Sequence, residues 1–418
     1  MKKSLYIITV FIILAIGGAL YYWYFFMQNP VVTVDSEGNP ISDGFSPFNR
    51  PGNIVTPSPT DIANNDQASS TEEVIDNSYK LPKLRQLSTF PVAGVSASST
   101  ASSSIARFVD RGTGHVYEAN TLYPEIKKIS NTTLPKVYEA YANKNGTSFI
   151  VRYLKGDTDI VSSFYTELRS TGTSTTETPF ELKGKFISPD INQVSVSPNG
   201  DKVFTWNIES GNGVGYISSF DEKTRVKILN LPLTQVNVDW PEINTLVLST
   251  KASAISSGFM YTIDAKTGVM KSVLSNIRGL TGKVSHDLSR VLYTSGSMNN
   301  MVTSVWNIKD NRSEEVIFKT ISDKCVWSTL RKNEVYCAVP TEIPDAMYPD
   351  DWYKGSVSFI DQIWHLDTTT GEVHLLANLL TLSSKLIDAT KLTLDPSEDT
   401  LYFTNKRDLT LWALDLNQ

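Results

Sequence analysis

Histidine and cysteine are scarce in this chain: its 418 residues include 4 His and 2 Cys. No Cys-x-x-Cys occurs and the histidines are scattered, which excludes a structural zinc module. His-x-x-x-His, Gly-x-Ser-x-Gly and a Ser-x-x-Lys nucleophile arrangement are also missing, so the common metallohydrolase and serine-hydrolase layouts have no carrier here. Positive charge is in deficit as well, 38 Lys+Arg against 44 Asp+Glu for a formal charge of -6. A chain without an overall positive field has no means of neutralising a phosphate backbone, so nucleic acid is not an expected partner. The stretch from Gly211 to Gly215 lacks the Lys-Ser/Thr and following helix of a phosphate loop and reads as a hairpin turn. No cofactor, metal ligand set or catalytic residue is expected from these patterns.

A long apolar run occurs once, at the N-terminus, from Ser4 to Met27. As a helix it would measure roughly 35 Å, enough to cross a hydrocarbon core of about 30 Å. Lys2 and Lys3 precede it and Tyr21, Tyr22, Trp23 and Tyr24 close it, which places the N-terminus in the cytoplasm and the remainder outside. A cleaved signal peptide is the competing reading, but its apolar part is shorter and ends in small residues rather than aromatics. Residues 1–27 are therefore expected to be a single-pass membrane anchor. Residues 28–81 follow as a tether, punctuated by Pro30, Pro40, Pro47, Pro51, Pro57 and Pro59 and rich in Asp, Glu, Ser and Asn. Such a composition buries too little apolar surface to offset its ordering entropy.

From residue 82 to 418 the chain repeats. A polar turn running into a strand appears as Ser197-Pro198-Asn199-Gly200-Asp201-Lys202-Val203, as Ser285-His286-Asp287-Leu288-Ser289-Arg290-Val291 and as Asp395-Pro396-Ser397-Glu398-Asp399-Thr400-Leu401. Looser copies begin at Trp240 and Thr329. In phase with it runs an aromatic-x-aliphatic-Asp strand: Tyr261-Thr262-Ile263-Asp264, Trp364-His365-Leu366-Asp367, Trp412-Ala413-Leu414-Asp415. An aromatic and an aliphatic two residues apart share one face of a strand, and the Asp opens the next turn. The interval is about 43 to 45 residues with four short strands per unit, the period of propeller blades.

On these motifs the region resembles the WD40-like repeat of TolB-type β-propellers, which implies an all-β ring and says almost nothing about function. First turns near Ser99, Asn143, Ser197, Trp240, Ser285, Thr329 and Asp395 give seven blades, while six or eight also fit the spacing. The last copy stops after its third strand. Lys83 to Ser88 reads as a lone outer strand, and pairing it with the last blade would close the ring. Outer strands are also expected at Val269 to Leu274, Val316 to Lys319 and Val373 to Leu376.

Two insertions break the period. Ser170 to Glu177 is a polar surface loop. Pro340 to Gly355, between the second and third strands of blade six, is different: Met347, Tyr348, Asp350, Asp351, Trp352 and Tyr353 make it the expected binding surface, with Trp352 and Tyr353 as anchors. The competing reading folds both rings back on their own blade. Asp350 and Asp351 lack the spacing of a calcium loop. Cys325 and Cys337 lie on neighbouring strands of the same blade, either as a cross-strand disulfide or as two buried thiols.

Two functions remain. The first is a membrane-anchored, extracytoplasmic propeller acting as a scaffold of the cell envelope that binds another protein or a surface polymer. The second is an envelope enzyme of lyase or glycosidase type, using carboxylates at the propeller funnel.

Overall fold

The computed structural model describes residues 81–99, 103–156, 158, 160–172 and 180–418. The expected anchor and all but the last residue of the expected tether lie outside the described residues. Among the described residues no helix is long and apolar enough to cross a membrane.

Seven four-stranded antiparallel sheets form the blades. A short strand, β1 (Leu84–Gln86), comes first in the chain. Blade one is β2 (Val92–Ser99), β3 (Ser104–Asp110), β4 (Val116–Asn120) and β5 (Ile126–Lys128); blade two is β6 (Val137–Ala142), β7 (Ser148–Leu154), β8 (Val161–Ser170) and β9 (Phe180–Phe186). Blade three is β10 (Ile191–Val196), β11 (Lys202–Glu209), β12 (Asn212–Ser219) and β13 (Arg225–Leu231); blade four is β14 (Val236–Glu242), β15 (Thr245–Thr250), β16 (Ser257–Asp264) and β17 (Met270–Arg278). Blade five is β18 (Thr281–Val284), β19 (Arg290–Ser297), β20 (Asn300–Asn307) and β21 (Arg312–Glu315). Blade six is β22 (Cys325–Trp327), β23 (Glu334–Pro340), β24 (Asp361–Asp367) and β25 (Val373–Asn378), with the short helix α1 (Asp350–Lys354) inside its insertion. A second short helix, α2 (Leu379–Ser383), leads to blade seven: β26 (Ala389–Leu394), β27 (Thr400–Asn405) and β28 (Leu411–Asp415).

The seventh sheet has the order β1-β28-β27-β26, so the first strand of the region completes the last blade. Leu84 pairs with Leu414 and Gln86 with Trp412. Closure follows from the unpaired edge that β28 would otherwise present to water.

Each second strand is sandwiched between neighbouring blades, which explains its sequence. All six residues of β27 are buried, as are Phe149 to Arg152 in β7 and Leu246 to Ser249 in β15. Fourth strands lie at the rim with many exposed positions, and blade five is the extreme case. The expected strand Val316 to Lys319 is a connection; the outer strand is β21, Arg312-Ser313-Glu314-Glu315, exposed throughout. Val316 and Phe318 are apolar because they fill the joint between blades five and six, against Trp327 and Val335.

Neighbouring blades are also clasped by polar contacts at their turns. Glu398 of blade seven, 4% exposed, accepts hydrogen bonds from Ser328 Oγ, Thr329 N and Leu330 N of blade six at 2.6, 2.6 and 3.1 Å. Gly200 has φ +68°, and a Cβ there would stand 2.3 Å from the Lys144 backbone nitrogen of the preceding blade. Both the turn and the close approach require glycine.

Candidate functional site

The innermost strands surround an axial channel whose two mouths are built differently. At one mouth lie the turns between first and second strands. A cavity of about 880 Å³ opens there, lined by residues of all seven blades, among them Lys144, Trp240, Lys283, His286, Trp327 and Leu394. Shape and mixed polarity suit it to hold a ligand.

Several polar groups of this cavity are engaged by the protein itself. Lys283 Nζ of blade five lies 2.9 Å from Asp239 Oδ2 of blade four. Desolvation would raise the Asp239 carboxyl, but the Lys283 ammonium together with a hydrogen bond from the Trp240 backbone N–H outweighs it and holds the group below its ordinary value. The same pairing raises the lysine. Asp395 accepts from Thr400 N at 2.8 Å and Ser397 Oγ at 2.6 Å, and Glu242 accepts from Asn244 N at 2.9 Å. The His286 Nδ1 is 2.8 Å from the Pro241 carbonyl, and the Trp327 indole donates to the Lys283 carbonyl at 2.9 Å. Among the described residues no three His, Cys, Asp or Glu side chains gather to hold a metal ion.

At the other mouth lies the blade-six insertion. It leaves β23 at Pro340 and crosses over its neighbours: Met347 bridges to Met298 of blade five, and Asp350 accepts from Ser253 Oγ at 3.0 Å and Ala254 N at 2.6 Å in blade four. The structure thus brings together all six residues singled out in the sequence, and it turns the largest of them inward. Tyr348 is 1% and Trp352 3% exposed, packed with Phe359 and Ile321. Tyr353 donates its hydroxyl to Asp323 at 2.5 Å, and Met347 N donates to Asp351 at 2.8 Å. Trp352 therefore packs inside the insertion, while Tyr353 is half-buried at its edge. The single turn of α1 points the Trp352 indole at a buried carboxylate, Asp388 Oδ2, 3.0 Å away.

That carboxylate belongs to a cluster the sequence did not reveal. Lys324, Asp361 and Asp388 are all 0% exposed. Lys324 Nζ donates to Asp361 Oδ2 at 2.8 Å, to Asp388 Oδ1 and to the Ala389 carbonyl at 2.9 Å. Burial pushes the Asp361 carboxyl up to about 6, against the opposing pull of Lys324. The signal available in the sequence was a charge inside an apolar run, Ile360-Asp361 and Ile387-Asp388-Ala389. Its partners are too far apart in the chain to be paired by spacing.

Cys325 and Cys337 face each other in the β22–β23 register with Cα atoms 4.1 Å apart, and a disulfide joins them.

No protein-family model matches the sequence, and no curated protein matches it. Solved structures are similar in fold. The oligogalacturonate lyase from Vibrio parahaemolyticus is 9% identical, with TM-score 0.50, over 79% of this chain and 93% of that one. An oligogalacturonate lyase in complex with manganese is 10% identical, with TM-score 0.49, over 80% and 98%. TolB from Acinetobacter baumannii is 12% identical, with TM-score 0.41, over 64% of this chain and 62% of that one. The similarity is one of fold: a β-propeller ring that unrelated functions share.

Proposed function

We propose that this protein is a membrane-tethered, extracytoplasmic propeller that serves as a binding scaffold of the cell envelope for a protein or a surface polymer. The observation that carries the proposal is the bonding inside the channel. Asp239 is spent on Lys283, Asp395 on its own turn and Glu242 on Asn244, so the cavity keeps a polar wall while these carboxylates have structural work. A glycosidase needs a pair of carboxyl groups poised over one substrate bond, with pKa values pushed apart.

One further feature supports the location. The Cys325–Cys337 bridge suits an oxidising compartment.

The test has two arms. A cysteine introduced in the 28–81 segment should react with a membrane-impermeant maleimide on intact cells; protection until lysis overturns the topology. Cross-linking in native envelopes should trap the full-length protein with a defined partner or polymer. Turnover of a candidate polysaccharide by the purified protein, abolished by Asp239→Asn, would instead establish the enzyme.

A further inference from the structure

The buried charges beneath the insertion do not line the channel cavity, yet they bring an amine against two carboxyl groups. Lys324 stands immediately before β22, Asp361 opens β24 and Asp388 immediately precedes β26, so blades six and seven both contribute. Lys324 Nζ makes three contacts, as many as an ammonium has hydrogens: Asp361 Oδ2 at 2.8 Å, Asp388 Oδ1 and the Ala389 carbonyl at 2.9 Å. Asp388 is clamped through Oδ2 by the Trp352 indole and by Phe359 N, both at 3.0 Å.

Asp361 is held on one side only. Its Oδ2 also accepts from Ala389 N at 2.6 Å, whereas its Oδ1 is buried with no hydrogen-bond partner. A buried carboxylate ordinarily fills both oxygens, because an unpaired one carries the full desolvation penalty. The surroundings of the amine are aromatic, with Nζ 5.2 Å from the ring centres of both Trp352 and Phe359. All three charged side chains are 0% exposed, so bulk water is kept from them.

We infer that Lys324 and Asp361 condense into an intramolecular isopeptide bond, with Asp388 as the proton acceptor. Asp388 takes a proton from the Lys324 ammonium, and the freed lone pair of Nζ attacks Cγ of the Asp361 carboxylic acid. The Nζ–Cγ bond forms and the Cγ–Oδ1 bond breaks. Oδ1 leaves as water with its own proton and one from Nζ, while Asp388 keeps the first proton; nothing is oxidised or reduced. Oδ2 becomes the amide oxygen, and Ala389 N already donates to it where negative charge develops. Condensation converts a buried cation and a buried anion, both costly to hold out of water, into neutral groups. It ties the entry of β22 to the start of β24 and so closes a covalent loop around the insertion.

The reaction needs Asp361 in its acid form. Burial pushes that carboxyl up to about 6, with Lys324 pulling it down and Asp388 pushing it up, and Lys406 also faces Asp388. Near neutral pH most molecules therefore keep a free carboxyl, and mild acid speeds the condensation. Both the linked form and the free acid gain stability over Asp361→Asn in acid, so mass rather than a urea midpoint is the readout.

Intact-mass spectrometry of the full-length protein in detergent, with the disulfide reduced, tests the bond. Incubation at about pH 5 should produce a species lighter by one water, at least roughly tenfold faster than at about pH 8. Proteolysis should release a branched peptide joining Lys324 to Asp361, and the same peptide present before any incubation supports the bond equally. Asp388→Asn keeps a side chain of the same shape in the clamp but accepts no proton, and should hold its full mass at either pH. An unshifted wild-type mass at both pH values, a lost water without the branched peptide, or equal linkage in Asp388→Asn overturns the inference. The wild type alone can refute it, whether or not the variant folds. None of these outcomes bears on partner capture, so the scaffold reading stands or falls separately in the cross-linking experiment.

Discussion

Leu84 lies directly opposite Leu414, and through this pairing the beginning of the folded region closes its end. The edge of blade seven is protected by a strand that belongs, in sequence, to nothing else. Leu87 N donates to the Leu411 carbonyl at 2.7 Å, and Leu411 N donates to Ser88 Oγ at 2.8 Å.

A chain beginning at residue 79 should therefore be more stable than one beginning at residue 92. Leu84 and Leu87 are 8% and 2% exposed. Burying each is worth about 1.5 to 3 kcal/mol, and each net hydrogen bond about 1 kcal/mol. A deficit of at least roughly 3 kcal/mol is expected on those terms, read as a lower urea midpoint. Equal midpoints would refute closure by β1.

The disulfide gives a second expectation. Alkylation of the denatured, unreduced protein should add no mass, and addition of two labels would disprove the bridge. With a sequence separation of 12, reduction should cost about 2 to 3 kcal/mol.

Trp352→Ala should behave as a core substitution. It empties a site packed by Phe359 and Ile321 and removes a donor from Asp388, so a loss of about 3 to 5 kcal/mol is expected. Leu382→Ala, at an exposed position on α2, should stay within about 0.5 kcal/mol of wild type. Thermal melts of the two variants check the contrast, and a mild effect at Trp352 would return that ring to the surface.

Asp361 makes stability depend on pH in a definite direction. Burial pushes its carboxyl up to about 6 in the folded protein, from an ordinary value of 3.8. Between those values the folded state holds a proton the unfolded chain has released. The stabilisation from this group is complete below the lower value and is lost as pH rises through about 6. The stability difference between wild type and Asp361→Asn should accordingly favour wild type more at pH 4.5 than at pH 7.5, by on the order of 2 kcal/mol. Urea titrations at the two pH values decide it; a difference independent of pH would place the proton elsewhere.

The ring itself was legible because its signals are local. Turn residues such as Ser197 to Gly200, and strands such as Trp412-Ala413-Leu414-Asp415, repeat within each unit of four strands, and every copy obeys the same period-two geometry. Closure could be read as well, since a strand without partners at one end and a missing strand at the other imply each other. The outer strands were harder. β21 is polar and fully exposed, so it resembles a loop, while the apolar Val316 beside it only fills a joint between blades.

What the sequence could not determine is where long side chains point once blades are stacked. Trp352 and Tyr353 have the composition of an interface, yet the indole is drawn inward by Asp388, a residue on another blade. Lys324, Asp361 and Asp388 share no local pattern and meet only because successive blades converge on the axis. Hydrophobic period and turn chemistry are properties of neighbouring residues and survive in one dimension; burial of a charge and the aim of a side chain depend on the three-dimensional packing around them.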